Sequence, residues 1–144
     1  MPNADVGDAT LHYKEHGEGP PCLGVMGFAD ALIAVRDPYG FRPLAMGRLK
    51  DAITFASESC AFDIIGATYL RDVLPGEVVT FDERGIRTKI AVEGEREAFC
   101  VFEYIYFARP DSRMNGTLLQ AARGRMGEIL AREAPAPNAD LVIS

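Results

Sequence analysis

The chain has 144 residues, of which 48% are hydrophobic and 25% are charged. These values are ordinary for a globular protein, and the length allows one domain with a hydrophobic core. The formal net charge is −6 and the basic residues are spread along the chain, so the sequence excludes a basic surface for nucleic acid. No apolar run approaches the roughly 18 residues that a membrane-spanning helix needs.

The N-terminus and the cysteines indicate the compartment. The first residues lack the charged and apolar regions of a signal peptide. The three cysteines, Cys22, Cys60 and Cys100, are an odd number at wide spacing, which argues against a disulfide framework. Free thiols are typical of a reducing environment, so we expect a cytoplasmic protein.

Residues 1–27 differ from the rest in composition. Eight of them are glycine or proline, and their apolar residues show little periodicity. Because both residue types interrupt regular structure, this segment is predicted to be a flexible arm.

From residue 31 regular elements follow one another closely. Residues 31–35 form a short apolar run that is typical of a buried strand. Residues 37–40, DPYG, fit a type I turn, since Asp, Pro and Gly occupy its first, second and fourth positions. Residues 42–49 are predicted to return as the second strand of a hairpin, and residues 53–57 to form a third strand.

The middle of the chain is predicted to alternate strands and turns. Ser59 is expected to cap a helix over residues 60–65, with its hydroxyl accepting a hydrogen bond from an N–H of the first turn. A strand over residues 77–81 is followed by a turn at 82–85 and another strand that reaches residue 92. Residues 98–107, which are rich in aromatic side chains, are predicted to be extended.

After Pro110 the spacing of apolar residues becomes helical and predicts a helix from about Thr117 to Ala134. The prolines at 135 and 137 end it, because proline lacks the backbone donor and clashes with the preceding turn. Residues 139–143 are predicted to be the first strand of a new α/β unit.

Three long motifs carry a resemblance to a known family. They are ALIAVRDPYGFRPL at residues 31–44, ASESCAFD at 56–63 continuing through GATYLRDV at 66–73, and EYIYFARPDS at 103–112. In this order and spacing they resemble the amidophosphoribosyltransferase family, also called glutamine phosphoribosylpyrophosphate amidotransferases, over residues 28–144. The first motif is similar to other glutamine amidotransferases with an N-terminal cysteine nucleophile, such as asparagine synthetase, whereas the third is more specific.

The resemblance implies an α+β fold and a division into domains. Residues 28–109 would be the C-terminal half of a type 2 glutamine amidotransferase domain, which is a partial N-terminal-nucleophile hydrolase domain with αββα layers. Residues 110–144 would begin an α/β phosphoribosyltransferase domain with its first helix and strand. Residues 1–27 would lie outside the resemblance.

The resemblance also implies an activity. The family transfers ammonia from glutamine to phosphoribosyl pyrophosphate and so produces 5-phosphoribosylamine, glutamate and pyrophosphate in purine biosynthesis. The implied partners are glutamine, phosphoribosyl pyrophosphate and further copies of the chain in a homo-oligomer, with neither nucleic acid nor membrane. Magnesium accompanies the pyrophosphate in the family, at a site outside this chain.

The motif EYIYFARPDS corresponds to the junction between the two domains of the family. Tyr104, Tyr106, Phe107 and Arg109 are therefore candidates for contact between the domains, since aromatic side chains with polar tips and a planar guanidinium suit a water-excluding interface. The alternative is that the aromatic side chains belong to the core. The direct physical role of the first motif is a well-specified hairpin turn, and the alternative is that Arg36 and Arg42 orient a carboxylate.

Cys100 lies where some members of the family carry a ligand of a four-iron four-sulfur cluster. Such a cluster usually needs four thiolates, and the chain has three cysteines. The alternative is a buried free thiol. Cys60 is expected to be a core residue.

The residues that perform the chemistry of the family do not match positions of this chain. The family uses an N-terminal cysteine as nucleophile and its own α-amino group as base. The chain starts with Met1 and Pro2, and Cys22 follows two prolines. No catalytic residue is assigned, and the chain alone is expected to be inactive. The alternatives are an interaction fragment that associates with a full-length homologue, or a fragment of another type 2 glutamine amidotransferase.

Overall fold

The computed structural model describes residues 3–5, 10–12, 24–28, 31–94, 96–141 and 143. Three helices lie within these residues: α1 (Cys60–Ile65), a π-helix (Glu103–Phe107) and α2 (Leu119–Glu133). The strands are β1 (Asn3–Asp5), β2 (Thr10–His12), β3 (Gly24–Phe28), β4 (Ala31–Val35), β5 (Ala45–Leu49), β6 (Ala52–Ala56), β7 (Thr68–Asp72), β8 (Glu77–Asp82), β9 (Gly85–Ile90), β10 (Arg113–Met114) and β11 (Thr117–Leu118).

Most strands belong to two antiparallel sheets. The first has four strands in the order β3-β4-β8-β9, and the second has three in the order β6-β5-β7. In the first sheet Ala34 is opposite Val79, and in the second Met46 is opposite Phe55. Short ladders join β1 to β2 and β10 to β11.

The core lies between the two sheets. Ala34 and Val79 of the first sheet form one buried cluster with Met46 and Ile53 of the second, and Leu44 joins them from the connection between β4 and β5. On the opposite face of the second sheet, α1 inserts the fully buried ring of Phe62 against Gly47 and beside the ring of Tyr69. The predicted α+β class, with facing sheets and a flanking helix, is confirmed.

The hairpin predicted over residues 31–49 is wrong. Both strands exist, but β4 pairs with β3 and β8, whereas β5 pairs with β6 and β7. The turn between them is confirmed, since the N–H of Gly40 donates to the carbonyl of Asp37 at 3.0 Å. This turn carries the chain from one sheet to the other, so consecutive strands face each other across the core instead of pairing.

Four further expectations need correction. Residues 3–5, 10–12 and 24–27 belong to strands, so the flexible arm predicted over residues 1–27 is wrong there, and its other residues lie outside the described part of the chain. Ser59 has helical backbone angles and makes no capping bond with its side chain. The extended segment predicted over residues 98–107 is wrong, because residues 98–100 belong to no strand and the chain is helical from Val101 to Phe107. Residues 139–141 and 143 form no strand, while β7 is a strand that the sequence did not predict.

None of the helices in the described part of the chain combines the length and apolar character needed to cross a membrane.

An ion pair links the two sheets at one end of the core. The buried carboxylate of Glu77, the first residue of β8, accepts two hydrogen bonds from the guanidinium of Arg71 in β7, at 2.7 and 2.8 Å. The N–H of Leu74 donates a third at 2.7 Å. Burial alone would raise the pKa of Glu77, but the hydrogen bonds from Arg71 and Leu74 favour the charged form and hold the pKa below its usual value.

We expect Glu77→Gln to destabilise the fold in a pH-dependent way. Because the folded pKa is depressed, the contribution of Glu77 is complete at neutral pH and is lost as the pH falls through that pKa. Urea unfolding should show a loss of about 2 kcal/mol at neutral pH and a smaller difference from the parent near about pH 3. The exposed Glu83→Gln is the control. A loss of unfolding free energy that is equal at both pH values would contradict the role of the charged Glu77 carboxylate.

Gly76 and Gly66 form a matched pair for testing the turn before β8. Their φ angles are +70° and +69°, but a Cβ at Gly76 would overlap the carbonyl oxygen of Val92, whereas a Cβ at Gly66 would meet nothing within 4 Å. Gly66→Ala should therefore cost about 1–2 kcal/mol, from the left-handed backbone alone. Gly76→Ala should cost about 3 kcal/mol or more, because the turn must also shift. Equal losses in unfolding free energy would show that the turn is not constrained.

Candidate functional site

The candidate site is the junction segment, residues 98–119, which has a small core of its own. Ala108, Met114 and Leu119 are buried together, and the rings of Phe99 and Tyr104 pack against them. The two rings meet edge to face with centroids 5.4 Å apart, and the hydroxyl of Tyr104 donates to the carbonyl of Met114 at 3.2 Å. Tyr104 is therefore a core residue of the junction and anchors the π-helix.

Arg42 fastens the π-helix to the turn after β4. Its guanidinium forms an ion pair with the buried carboxylate of Glu103, at the start of the π-helix. The same guanidinium lies 5.2 Å from the ring centroid of Phe107 and 5.5 Å from that of Phe41, which is the distance of a cation–π contact. Arg42 thus orients a carboxylate, as the sequence allowed, and the carboxylate belongs to the chain itself.

Arg36 has a structural role. Its buried guanidinium donates to the backbone carbonyls of Arg42, Val73 and Gly40 at distances between 2.5 and 3.2 Å. These bonds engage each of the three guanidinium nitrogens, so Arg36 holds the backbone around the turn.

The outer face of the π-helix carries an exposed apolar surface. Tyr106 is 78% exposed, and the other residues of this surface, which we call the aromatic surface, are between 51% and 56% exposed: Val101, Phe102, Ile105 and Phe107. The ring of Phe107 lies 5.9 Å from that of Tyr106 and 6.2 Å from that of Phe102. A contiguous patch of this kind marks a contact surface more often than a free one.

Arg109 takes part through its backbone as well as its side chain. The exposed guanidinium pairs with the carboxylate of Asp111 at 2.8 and 3.1 Å. The backbone N–H of Arg109 donates to the carboxylate of Glu58 at 2.7 Å. Of the four predicted contact residues, the structure therefore packs the half-buried ring of Tyr104 against the small core, exposes Tyr106 and Phe107 side by side, and directs Arg109 to a local partner.

Sequence reasoning missed Glu58 and Ser59 as partners of the junction. Glu58 also accepts a hydrogen bond from the hydroxyl of the fully buried Ser112 at 3.0 Å, and the hydroxyl of Ser59 accepts one from the N–H of Arg113 at 2.7 Å. The only local signal was a polar Ser-Glu-Ser run between β6 and α1, which is equally typical of a helix cap.

Two cysteines, Cys60 and Cys100, lie within the described residues, and both are free thiols. Cys60 is a buried free thiol, as expected, and Cys100 is a half-buried one, with its N–H bonded to the carbonyl of Phe41 at 3.2 Å. Within the described residues, no group of three or more His, Cys, Asp or Glu side chains could hold a metal ion. A four-iron cluster usually takes four thiolates, so the three cysteines of this chain do not fit one without a further ligand.

Comparison with known proteins gives the same result as the motifs. No family model matches the chain. An amidophosphoribosyltransferase of Mycobacterium tuberculosis is 47% identical over 135 residues, which is 94% of this chain and 25% of that protein. One from Archaeoglobus fulgidus is 47% identical over 113 residues, 78% of this chain and 24% of that protein. The longer alignment exceeds the span from residue 28 to the C-terminus, so it includes part of the N-terminal segment.

Two solved structures have the same fold. One is the glutamine phosphoribosylpyrophosphate amidotransferase of Bacillus subtilis in complex with ADP and GMP, with a TM-score of 0.71, 42% identity, and coverage of 74% of this chain and 24% of that one. The other, described as the allosteric regulatory enzyme of purine biosynthesis, gives a TM-score of 0.71 and 38% identity over 78% of this chain and 26% of that one.

The two facing sheets and the junction that leaves them define part of an N-terminal-nucleophile glutaminase domain and the entry to the domain that follows it. Within that class, the chain is homologous to the amidophosphoribosyltransferases. It spans about a quarter of the length of the curated relatives that it matches.

Proposed function

We propose that this chain is the part of an amidophosphoribosyltransferase in which the glutaminase domain ends and the phosphoribosyltransferase domain begins, with residues 28–109 in the first and 110–144 in the second. The whole protein would transfer ammonia from glutamine to phosphoribosyl pyrophosphate and release 5-phosphoribosylamine, glutamate and pyrophosphate. The observation that carries this proposal is the 47% identity over 94% of the chain, which includes the junction motif EYIYFARPDS.

The residues of this chain would serve the transfer of ammonia between two sites. Ammonia released from glutamine must reach the second site without being lost to water, which requires a dry contact between the domains. The aromatic surface, with Tyr106 and Phe107 exposed side by side, supports this role, because apolar rings exclude water once another surface covers them. Tyr104 would hold the π-helix in place from its inner side.

The proposal includes cofactors and partners of the whole protein. Magnesium would accompany phosphoribosyl pyrophosphate at residues outside this chain. Cys100 would be a free thiol, unless cysteines from elsewhere in the whole protein complete a cluster with it. The protein would work as a homo-oligomer, and its free thiols Cys60 and Cys100 suit the reducing cytoplasm.

A chimeric enzyme tests the proposal. The matched residues of the Mycobacterium tuberculosis relative are replaced by this chain, which changes about half of the side chains over 135 positions. We expect glutamine-dependent synthesis of phosphoribosylamine within about tenfold of the parent enzyme, since closely similar folds accept such exchange when packing is kept. The measurement is glutamine-dependent consumption of phosphoribosyl pyrophosphate.

The control for the chimera exchanges the same region for that of an asparagine synthetase, which shares the class of glutaminase but not the junction motif. The control should lose glutamine-dependent synthesis. A chimera with this chain that folds and hydrolyses glutamine, yet never uses phosphoribosyl pyrophosphate, would refute the proposed function in favour of another amidotransferase.

Two conservative substitutions in the chimera test the domain contact. Tyr106→Phe removes only a hydroxyl, and Arg109→Lys keeps the charge but loses the planar donor pair. We expect glutamine hydrolysis and ammonia-dependent synthesis to persist while glutamine-dependent synthesis falls, with little change in melting temperature, because both side chains are exposed in this chain. Tyr39→Phe and Arg125→Lys, at exposed positions that are not part of the aromatic surface, are the controls. A proportional loss of all three activities, or no loss, would mean that Tyr106 and Arg109 are scaffold.

A further inference from the structure

The carboxylate of Glu58 connects the glutaminase part to the junction segment. One oxygen, Oε2, accepts hydrogen bonds from the backbone N–H of Arg109 at 2.7 Å and from the hydroxyl of Ser112 at 3.0 Å. The thiol of Cys60 lies 3.6 Å from the same oxygen. Hydrogen bonds to a charged acceptor are about twice as strong as those between neutral groups, so this is a firm attachment for a backbone segment.

Two neighbouring acceptors continue the attachment. The hydroxyl of Ser59 accepts from the N–H of Arg113, and the carboxylate of Asp72 accepts from the N–H of Asn115 at 3.0 Å. Three side chains, two between β6 and α1 and one at the end of β7, thus accept hydrogen bonds from backbone N–H groups of residues 109–115. We call this set of contacts the junction clamp. Glu58 is the member that holds two groups at once.

The clamp reaches the aromatic surface through the backbone of the π-helix. The guanidinium of Arg123, in α2, donates to the carbonyls of Tyr104 and Ala108 at 2.7 Å each. In addition, the N–H groups of Leu119 and Gln120 donate to the carbonyls of Ser112 and Pro110 at 3.0 and 2.8 Å. The π-helix, residues 109–115 and the start of α2 are therefore mutually bonded, so a shift at Arg109 displaces the aromatic rings as well.

We propose that Glu58 is a positioning residue, whose carboxylate sets where the aromatic surface lies relative to the glutaminase sheets and thereby couples glutamine hydrolysis to use of the ammonia. The effect on coupling rests on the proposed function, whereas the positioning of the junction by Glu58 rests on the hydrogen bonds of the clamp alone. Glu58 touches neither substrate, and its substitution acts through Arg109 and Ser112.

The clamp is tested first in the 144-residue chain itself by amide hydrogen exchange. Glu58→Ala should raise the exchange rate of the Arg109 amide by about tenfold or more, while the amide of Val79 in β8 reports global opening. Glu58→Gln keeps an acceptor oxygen and should raise the rate less. Asp63→Ala, at an exposed carboxylate of α1, should leave the rate unchanged. An Arg109 rate that is equal in parent and Glu58→Ala, or that rises only in step with that of Val79, would overturn the clamp.

The positioning role is tested in the chimeric enzyme. Glu58→Ala should lower glutamine-dependent synthesis by about tenfold or more, since a displacement of about 1 Å caused by a mutation far from the chemistry can cost about 100-fold, while glutaminase and ammonia-dependent activities change less. Glu58→Gln should recover most of the coupling, and Asp63→Ala should match the parent. Equal loss of all three activities, or no recovery with Gln, would reduce Glu58 to a scaffold residue.

The two proposals can fail separately. A chimera that is inactive before any substitution counts against the proposed function, while the exchange rate of Arg109 still decides whether Glu58 holds the junction. An active chimera whose coupling is indifferent to Glu58 counts against the positioning role alone.

Discussion

The structure depends on the buried turn at Arg36 and Asp37. The guanidinium of Arg36 bonds the carbonyls of Gly40 and Arg42 on its own side and that of Val73 at the end of β7. The carboxylate of Asp37 accepts from the N–H groups of Tyr39 and Phe41, while its carbonyl accepts from Gly40 and Gly76. The backbone groups of this crossover thus find hydrogen-bond partners although they belong to no strand pair. A loop can be buried only when its backbone N–H and C=O groups have such partners.

The junction relies on the same turn. The N–H groups of Ala98 and Cys100 donate to the carbonyls of Tyr39 and Phe41. The segment that follows the first sheet is therefore hydrogen-bonded to the turn. Arg42, two residues after Gly40, then forms an ion pair with the carboxylate of Glu103. The crossover, the junction and the π-helix are connected by hydrogen bonds and an ion pair, so the position of the π-helix depends on the turn between β4 and β5.

The local sequence pattern was sufficient to predict most strands and turns, but it was insufficient to predict which strands pair. The turn at residues 37–40 and the strands β4, β6 and β8 follow from apolar runs and turn chemistry that lie within a few residues of one another. Which strand pairs with which is decided by the core, and the hairpin prediction failed because β4 and β5 bury their apolar faces against each other from different sheets. No pattern within either strand contains that information.

In the candidate site, too, the sequence predicted the location of the motif but not the contacts of its side chains. The resemblance located the junction motif, but it did not show that Tyr104 packs against a core while Tyr106 is exposed. That difference depends on a π-helix, where the aromatic content favoured a strand. Ser59 was expected to bond its own helix, and it instead bonds Arg113, which is 54 residues away. The polar run that contains Glu58 is equally typical of a helix cap, so its role is recognisable only when the fold brings Arg109 to it.

In the π-helix, the number of residues matters as much as which residues they are. The N–H of Ala108 bonds the carbonyl of Glu103 across five residues, with both ends buried, so the four residues between them make one wide loop of the backbone. Removing one of those four would leave an ordinary α-turn and rotate the following residues by about 100° around the helix axis. Exposed surface segments usually tolerate insertions and deletions during evolution, whereas this one, although exposed, behaves in that respect like a segment of the core.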